Sequence, residues 1–166
     1  MIEYDTEREF SNRLGAYLTF DTTGDRQVRM KLAVSFVSAE KARANLAEEM
    51  PGWDFDGYRQ AARAQWNGAL AKIRVEGGSD EQQRIFYSAL YRAHTMPHDL
   101  SGENVWWKSD EPHYEDFYTL WDTFRTLHPL LTVIQPQRQR DMIRSLIDTY
   151  SHTGWMPDSR IAGANG

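Results

Sequence analysis

Cysteine is absent from the 166 residues. That removes disulfides, thiolate zinc sites and cysteine nucleophiles from consideration, and it leaves the compartment unidentified. Long apolar runs are also missing: none approaches the roughly 18 residues that a bilayer-spanning helix requires. Basic residues are outnumbered, with 19 Lys and Arg against 24 Asp and Glu for a net charge of -5. A mildly acidic chain with no basic cluster argues against nucleic acid as the main partner. Arg138, Arg140 and Arg144 are diluted by Asp141 and Asp148 and read as a solvated face. Met1 is followed by Glu3, Asp5, Glu7 and Arg8 rather than an apolar stretch, so no signal peptide is visible. Neither the glycine-rich nucleotide pattern nor a P-loop lysine follows Gly77-Gly78, and Ser159 lacks the setting of a serine hydrolase. His94 and His98 stand four apart, but Pro97 breaks the helix between them and no third ligand is near in sequence. The sequence therefore offers no metal site of its own.

Aromatic residues are abundant. Six Trp, eight Tyr and seven Phe exceed what a plain helical core needs. Aromatic rings pack cores, and they also form platforms for sugar rings. The length suggests one ordinary domain, and 40% hydrophobic with 26% charged residues fits a globular chain.

The first third reads as strand. Ala16–Phe20 and Gln27–Val34 flank a turn at Thr22–Asp25, which predicts a hairpin with one buried face. The character changes at Ser38, a good N-cap before strong helix formers over 39–47, stopped by Met50-Pro51-Gly52. A second helix is expected from about Asp54 to Leu70, and Ile73–Val75 resembles a short strand. Ser79 with Gln82 is a capping box, and the helix behind it carries Ile85, Phe86, Ala89, Leu90 and Ala93 on one face. Residues 97–115 read as a loop holding the exposed-looking pair Trp106-Trp107. Phe117–Leu131 is predicted partly helical with an interruption at Pro129. A last helix starts at Pro136, ends at Gly154, and takes Met142, Ile143, Leu146, Ile147 and Tyr150 as its apolar face. Trp155–Gly166 is expected to be loop. Strands followed by helices predict an α+β, mostly α chain that ends one domain and begins another. The expectation is of a window from a longer chain.

Two segments hold candidate chemistry. In Tyr118–Arg125, Asp122 is surrounded by apolar and aromatic neighbours. A carboxylate there needs partners or a ligand. It either pairs with Arg125 one turn away or binds a sugar. In Gly154–Arg160, Trp155, Asp158 and Arg160 suit stacking on a sugar and hydrogen bonding to its hydroxyls. The same residues also suit a helix stop with an Asp-Ser turn.

Several segments, in order along the chain, resemble glycoside hydrolase family 92. They are Ser35-Phe36-Val37-Ser38-Ala39-Glu40-Lys41-Ala42, Pro51-Gly52-Trp53-Asp54-Phe55-Asp56, Trp66-Asn67, Arg84–Tyr91, Leu120-Trp121-Asp122-Thr123-Phe124-Arg125-Thr126-Leu127-His128-Pro129-Leu130 and Gly154-Trp155-Met156-Pro157. The resemblance implies a calcium-dependent, inverting, exo-acting α-mannosidase, built from a β-sandwich, a helical connector and an (α/α)6 toroid. It implies that residues 1–37 end the sandwich, 38–78 form the connector and 79–166 begin the toroid. It further implies that Trp121, Asp122, Trp155 and Arg160 bind substrate, a mannose-containing oligosaccharide. No catalytic residue and no calcium ligand is assigned within the chain, because the family's general-base aspartates lie downstream. The family's usual acid is a Glu shortly after the Gly-Trp-x-Pro motif, and an ungapped match places Asn165 there. That departure raises mannosyl phosphodiesters as substrates, since their leaving group needs no proton. The alternative is a non-catalytic carbohydrate-binding protein on the same scaffold. The family resemblance implies a secreted or periplasmic address.

Overall fold

The computed structural model describes residues 17–165. The chain divides into two units, at residues 1–32 and 33–166.

In the first unit the expected turn forms and the expected strands do not. Asp21 Oδ1 accepts from the Thr23 N–H at 3.0 Å and from its hydroxyl at 2.7 Å, and Asp25 Oδ1 accepts from the Gln27 N–H at 2.9 Å. These are local Asx turns. The described residues on either side carry no regular secondary structure and join no ladder among the described residues, and Tyr17, Leu18, Phe20, Val28 and Met30 are exposed. Alternation states which face a strand would bury. It does not supply the neighbour that makes it a strand, and a lone hairpin is marginal in water.

The second unit is helical. α1 (Ala39–Glu49) is capped by the Ser38 hydroxyl on the Lys41 N–H, and α2 (Phe55–Leu70) by the Asp54 carboxylate on the Gly57 N–H. Both starts fall where the sequence places them. Glu103 anchors the segment ahead of α1. It accepts from the Ser35 hydroxyl at 2.6 Å, the Phe36 N–H at 2.9 Å and the Asn45 amide at 2.9 Å. Burial raises its pKa, but these bonds outweigh burial and hold the carboxyl below its usual range. Ile73–Val75 is not a strand. Its backbone instead meets a side chain: the Tyr87 hydroxyl accepts from the Val75 N–H and donates to the Ile73 carbonyl, each at 3.3 Å. The Ser79–Gln82 capping box opens α3 (Asp80–Ala93), and Trp66 of α2 packs on Tyr91 of α3 with ring centroids 4.4 Å apart.

The long loop contains one short ladder: β1 (His98–Asp99) pairs antiparallel with β2 (Tyr114–Glu115). α4 (Leu120–Thr123) and α5 (Leu127–Ile134) follow. The expected interruption at Pro129 is displaced. The break lies at Phe124–Thr126, and Pro129 sits in the first turn of α5. There its missing N–H has no carbonyl to lose. α6 (Pro136–Thr153) has Pro at its start and Gly154 in the left-handed conformation at its end. The C-terminal loop holds a tight hairpin, β3 (Arg160–Ile161) with β4 (Ala164–Asn165), a ladder the sequence did not signal.

The core is made by β2, the segment behind it, α5 and α6. Tyr114, Phe117, Leu131 and Met142 are buried together, with Leu120, Leu127 and Leu146 against them. The buried face of α6 is Gln139, Met142, Ser145, Asp148 and Thr149, while Ile143, Ile147 and Tyr150 are exposed. The hydrophobic stripe predicted for this helix is thus only partly its inner face. Polar residues go inward because they have partners there: the Ser145 hydroxyl accepts from the Tyr114 N–H at 2.8 Å.

Candidate functional site

The two segments singled out from the sequence are docked on each other through backbone. Phe117 and Arg160 form an isolated antiparallel bridge, with N–H to carbonyl distances of 2.9 and 3.1 Å. Beside it, the Leu120 N–H donates to the Asp158 carbonyl at 2.9 Å. The start of α4 and the loop after α6 therefore form one unit. Among the described residues the three non-glycine positions with positive φ, Asp116, Thr119 and Ala162, all lie in this unit. Strained backbone of this kind persists where the surroundings over-determine it, and it gathers at functional sites.

Behind the docked segments lies a buried polar cluster. Glu115 Oε1 accepts from Arg160 Nε at 2.8 Å and lies 3.1 Å from His113 Nε2. Its Oε2 accepts from the Gly163 N–H at 3.0 Å. Burial pushes this carboxyl up, but the His113 hydrogen bond, the Gly163 amide and the Arg160 charge together bring it below the usual carboxylate range. The Arg160 guanidinium also lies over the Trp107 ring, 5.3 Å from its centroid. Trp107 stacks on His152 at 5.0 Å with the planes 11° apart, and its Nε1–H donates to Asp148 Oδ2 at 2.7 Å. The Ser109 hydroxyl donates to Asp148 Oδ1 at 3.0 Å. On the other side of β2, the Tyr114 hydroxyl donates to Asp99 Oδ2 at 3.2 Å. His98 Nδ1 pairs with Asp116 at 2.5 Å.

The four expected sugar ligands divide into two groups. Trp121 is 52% exposed and Trp155 67%, and Asp122 is exposed as well. Arg160 is 1% exposed, so it lies beneath this surface as part of the cluster and not on it. The Asp122–Arg125 ion pair does not form: the Arg125 guanidinium lies over the Phe124 ring at 5.6 Å. Of the Trp106-Trp107 pair, Trp106 is exposed as expected, while Trp107 is held inward by Asp148. Sequence reasoning missed Glu115, His113, Asp148 and His152. The i, i+4 spacing of Asp148 and His152 was a usable signal, for that pair is 3.4 Å apart. Nothing local marks Glu115 as the partner of an arginine 45 residues away.

Among the described residues no three His, Asp or Glu side chains converge as a metal site. Glu115, the most enclosed carboxylate of the site, has both oxygens engaged by protein donors. These residues do not fit a calcium ion.

Residues 41–166 match the profile of the glycosyl hydrolase family 92 catalytic domain. The chain is 32% identical over 163 residues to a protein of Arthroderma benhamiae described as an uncharacterized secreted glycosidase. The match takes in 95% of this chain and 18% of that protein, so the chain spans less than a fifth of its relative. Among solved structures it resembles a family 92 α-mannosidase from Bacteroides thetaiotaomicron, with TM-score 0.70 and 25% identity over 79% of this chain and 19% of that one. The same enzyme in complex with mannoimidazole gives TM-score 0.68 and 26% identity over 79% and 18%. A further family 92 glycosyl hydrolase gives 0.63 and 27% over 79% and 19%.

Proposed function

Because the chain belongs to glycosyl hydrolase family 92, we propose that it forms part of an exo-acting, inverting α-mannosidase and contributes one wall of its sugar site. The observation that carries this reading is the docking of α4 on the loop after α6. It brings Trp121, Asp122 and Trp155 into one hydrogen-bonded unit with their side chains open to solvent. The mannoimidazole complex of the related mannosidase supports mannose as the sugar.

In this reading the indoles of Trp121 and Trp155 stack on the apolar face of a pyranose ring, and Asp122 accepts from its hydroxyls. A carboxylate has two acceptor oxygens and suits two neighbouring hydroxyls at once. Arg160 supports this surface from beneath through Glu115 and Trp107. Inversion needs a carboxylic acid to protonate the leaving oxygen and a carboxylate to activate water. Neither is assigned within residues 17–165. The calcium implied by the family is assigned to ligands outside them. Residues 1–37 are read as the end of a sandwich domain, 38–78 as connector and 79–166 as the start of a toroid. Export of the parent protein is inferred from the relative described as secreted.

The test is made on the full-length parent protein. It is expected to release mannose from α-mannosides, and Asp122→Ala is expected to lower kcat/KM by at least about tenfold, the scale of one hydrogen bond to a charged group. Unchanged kcat/KM removes Asp122 from the site. Comparing mannobiose with a mannose-1-phosphoryl substrate addresses the position held by Asn165. Robust cleavage of mannobiose excludes the phosphodiester preference.

A further inference from the structure

Glu115 is 4% exposed, and its neighbours Tyr114 and Phe117 are both members of the apolar core. An apolar side chain here would avoid the cost of taking a charge out of water, so stability alone is a poor account of this carboxylate. A carboxylate, unlike an amide, accepts on both of its terminal atoms. Here both are used: Oε1 accepts from Arg160 Nε at 2.8 Å, and Oε2 accepts from the Gly163 N–H at 3.0 Å. The two donors stand on either side of Ile161 and Ala162, across the turn of the β3–β4 hairpin. That turn needs an external hold. Ala162 has φ +49° and Gly163 φ +80°. Asn-Gly fills two successive left-handed positions readily, whereas alanine enters that region at a steric cost. Such backbone persists where its surroundings over-determine it, and Glu115 holds the turn from both ends.

The hairpin is also the base on which the two candidate segments meet. Arg160 exchanges backbone hydrogen bonds with Phe117, and the Asp158 carbonyl accepts from the Leu120 N–H at the start of α4. α4 carries Trp121 and Asp122, and the loop into the hairpin carries Trp155. Every link from Glu115 to α4 is therefore a hydrogen bond or a short stretch of chain. We propose that Glu115 is a positioning residue for the sugar wall: by gripping the hairpin on both sides of its turn, it sets where Asp122 stands relative to Trp155 and so governs affinity for the sugar without touching it. This rests on the mannosidase reading above. A wall that binds substrate and transition state equally acts on KM and leaves kcat alone. Loss of folded protein does the reverse, lowering the apparent kcat and sparing KM.

The experiment uses the full-length protein with mannobiose as substrate, and kcat and KM are measured separately. Glu115→Gln keeps the shape of the side chain but leaves it one acceptor for two donors. It is expected to raise KM about tenfold, the scale of one hydrogen bond to a charged group, with kcat unchanged. In an Asp122→Ala background the same change is expected to leave KM where it was, because the residue through which Glu115 acts is gone. Ala162→Asn relieves the turn and is expected to recover most of the affinity lost in the Gln variant. Where the Gln variant does not fold, Gly163→Ala takes its place, since a Cβ there collides with the Trp106 ring and displaces the hairpin from its other side. No rise in KM, a fall in kcat at constant KM, or a KM effect that multiplies with that of Asp122→Ala overturns the proposal. If the wild type releases no mannose, the mannosidase reading falls by itself. A crystal structure of the Gln variant then decides: loss of the hydrogen bond between Leu120 and Asp158 sustains the positioning role, and an unmoved α4 removes it.

Discussion

At Glu115 two opposing effects act on one carboxyl, and the sign of their sum is testable. Burial favours the protonated form, while His113, Gly163 and Arg160 favour the ionised one and prevail. A depressed pKa in the folded state means that ionised Glu115 stabilises the fold above the ordinary glutamate value of roughly 4.3. That contribution is lost as pH falls through the depressed value. Denaturant titrations across acid pH are expected to show this loss in the wild type and not in Glu115→Ala. The variant itself is expected to be less stable by about 1–3 kcal/mol at neutral pH, because it removes one buried acceptor of the Arg160 guanidinium and the acceptor of the Gly163 N–H. Tyr114 has the opposite dependence. Burial, then the charge of Asp99, push its hydroxyl up to about 12. The neutral phenol is the folded form, so its stabilisation is complete below the ordinary tyrosine value of roughly 10 and is lost as pH rises towards that raised value. Spectroscopic titration is expected to find one tyrosine that ionises only there, and Tyr114→Phe is expected to abolish that step. At this scale the sequence was only partly informative. Aromatic neighbours drew attention to Asp122, whose side chain proved to be exposed, while the buried carboxylate three residues before Tyr118 carries no local mark. Burial of a charge is decided by a partner, and the partner of Glu115 is far along the chain.

Helix ends and helix faces differ in how far they can be predicted. Ser38, Asp54 and Ser79 each cap where expected, because a cap bonds an N–H only three residues away. Gly154 closes α6 with φ +74°, for the same local reason. Gly154→Ala is expected to destabilise the chain by about 1 kcal/mol, measured by chemical denaturation, since alanine must enter the left-handed region. The inner face of α6 was less legible. Ser145 and Asp148 turn inward because Tyr114, Trp107 and Ser109 meet them from the loop, and nothing within the helix records those neighbours. Ser145→Ala removes the acceptor of the buried Tyr114 N–H and is expected to cost about 1–3 kcal/mol, with faster amide exchange at Tyr114 as its signature. The strands expected over 16–20, 27–34 and 73–75 do not form among the described residues for the complementary reason: strand pattern is local, but a strand is made by its ladder.

For the molecule as a whole, the balance of covered and open apolar surface sets the behaviour of the isolated chain. Among the described residues five hydrophobic side chains are buried, while Trp53, Phe55, Ile85, Phe124, Val133 and Trp155 are among the many exposed. Open apolar surface of this extent favours association. The isolated 166-residue chain is expected to bind a hydrophobic dye strongly and to unfold over a broad range. A sharp transition at high temperature without dye binding contradicts this. The family was legible at this scale, because it rests on many residues in sequence and not on one partner. The bridge between Phe117 and Arg160 has a further consequence, in the order of folding. It joins segments that flank the whole of α5 and α6, so the chain between them must be ordered before the bridge can close. Closing so long a loop is entropically costly until the helices shorten it. The Leu120 amide, held by the Asp158 carbonyl, is then a late reporter. It gains protection from solvent exchange after the helices do, and it loses that protection first.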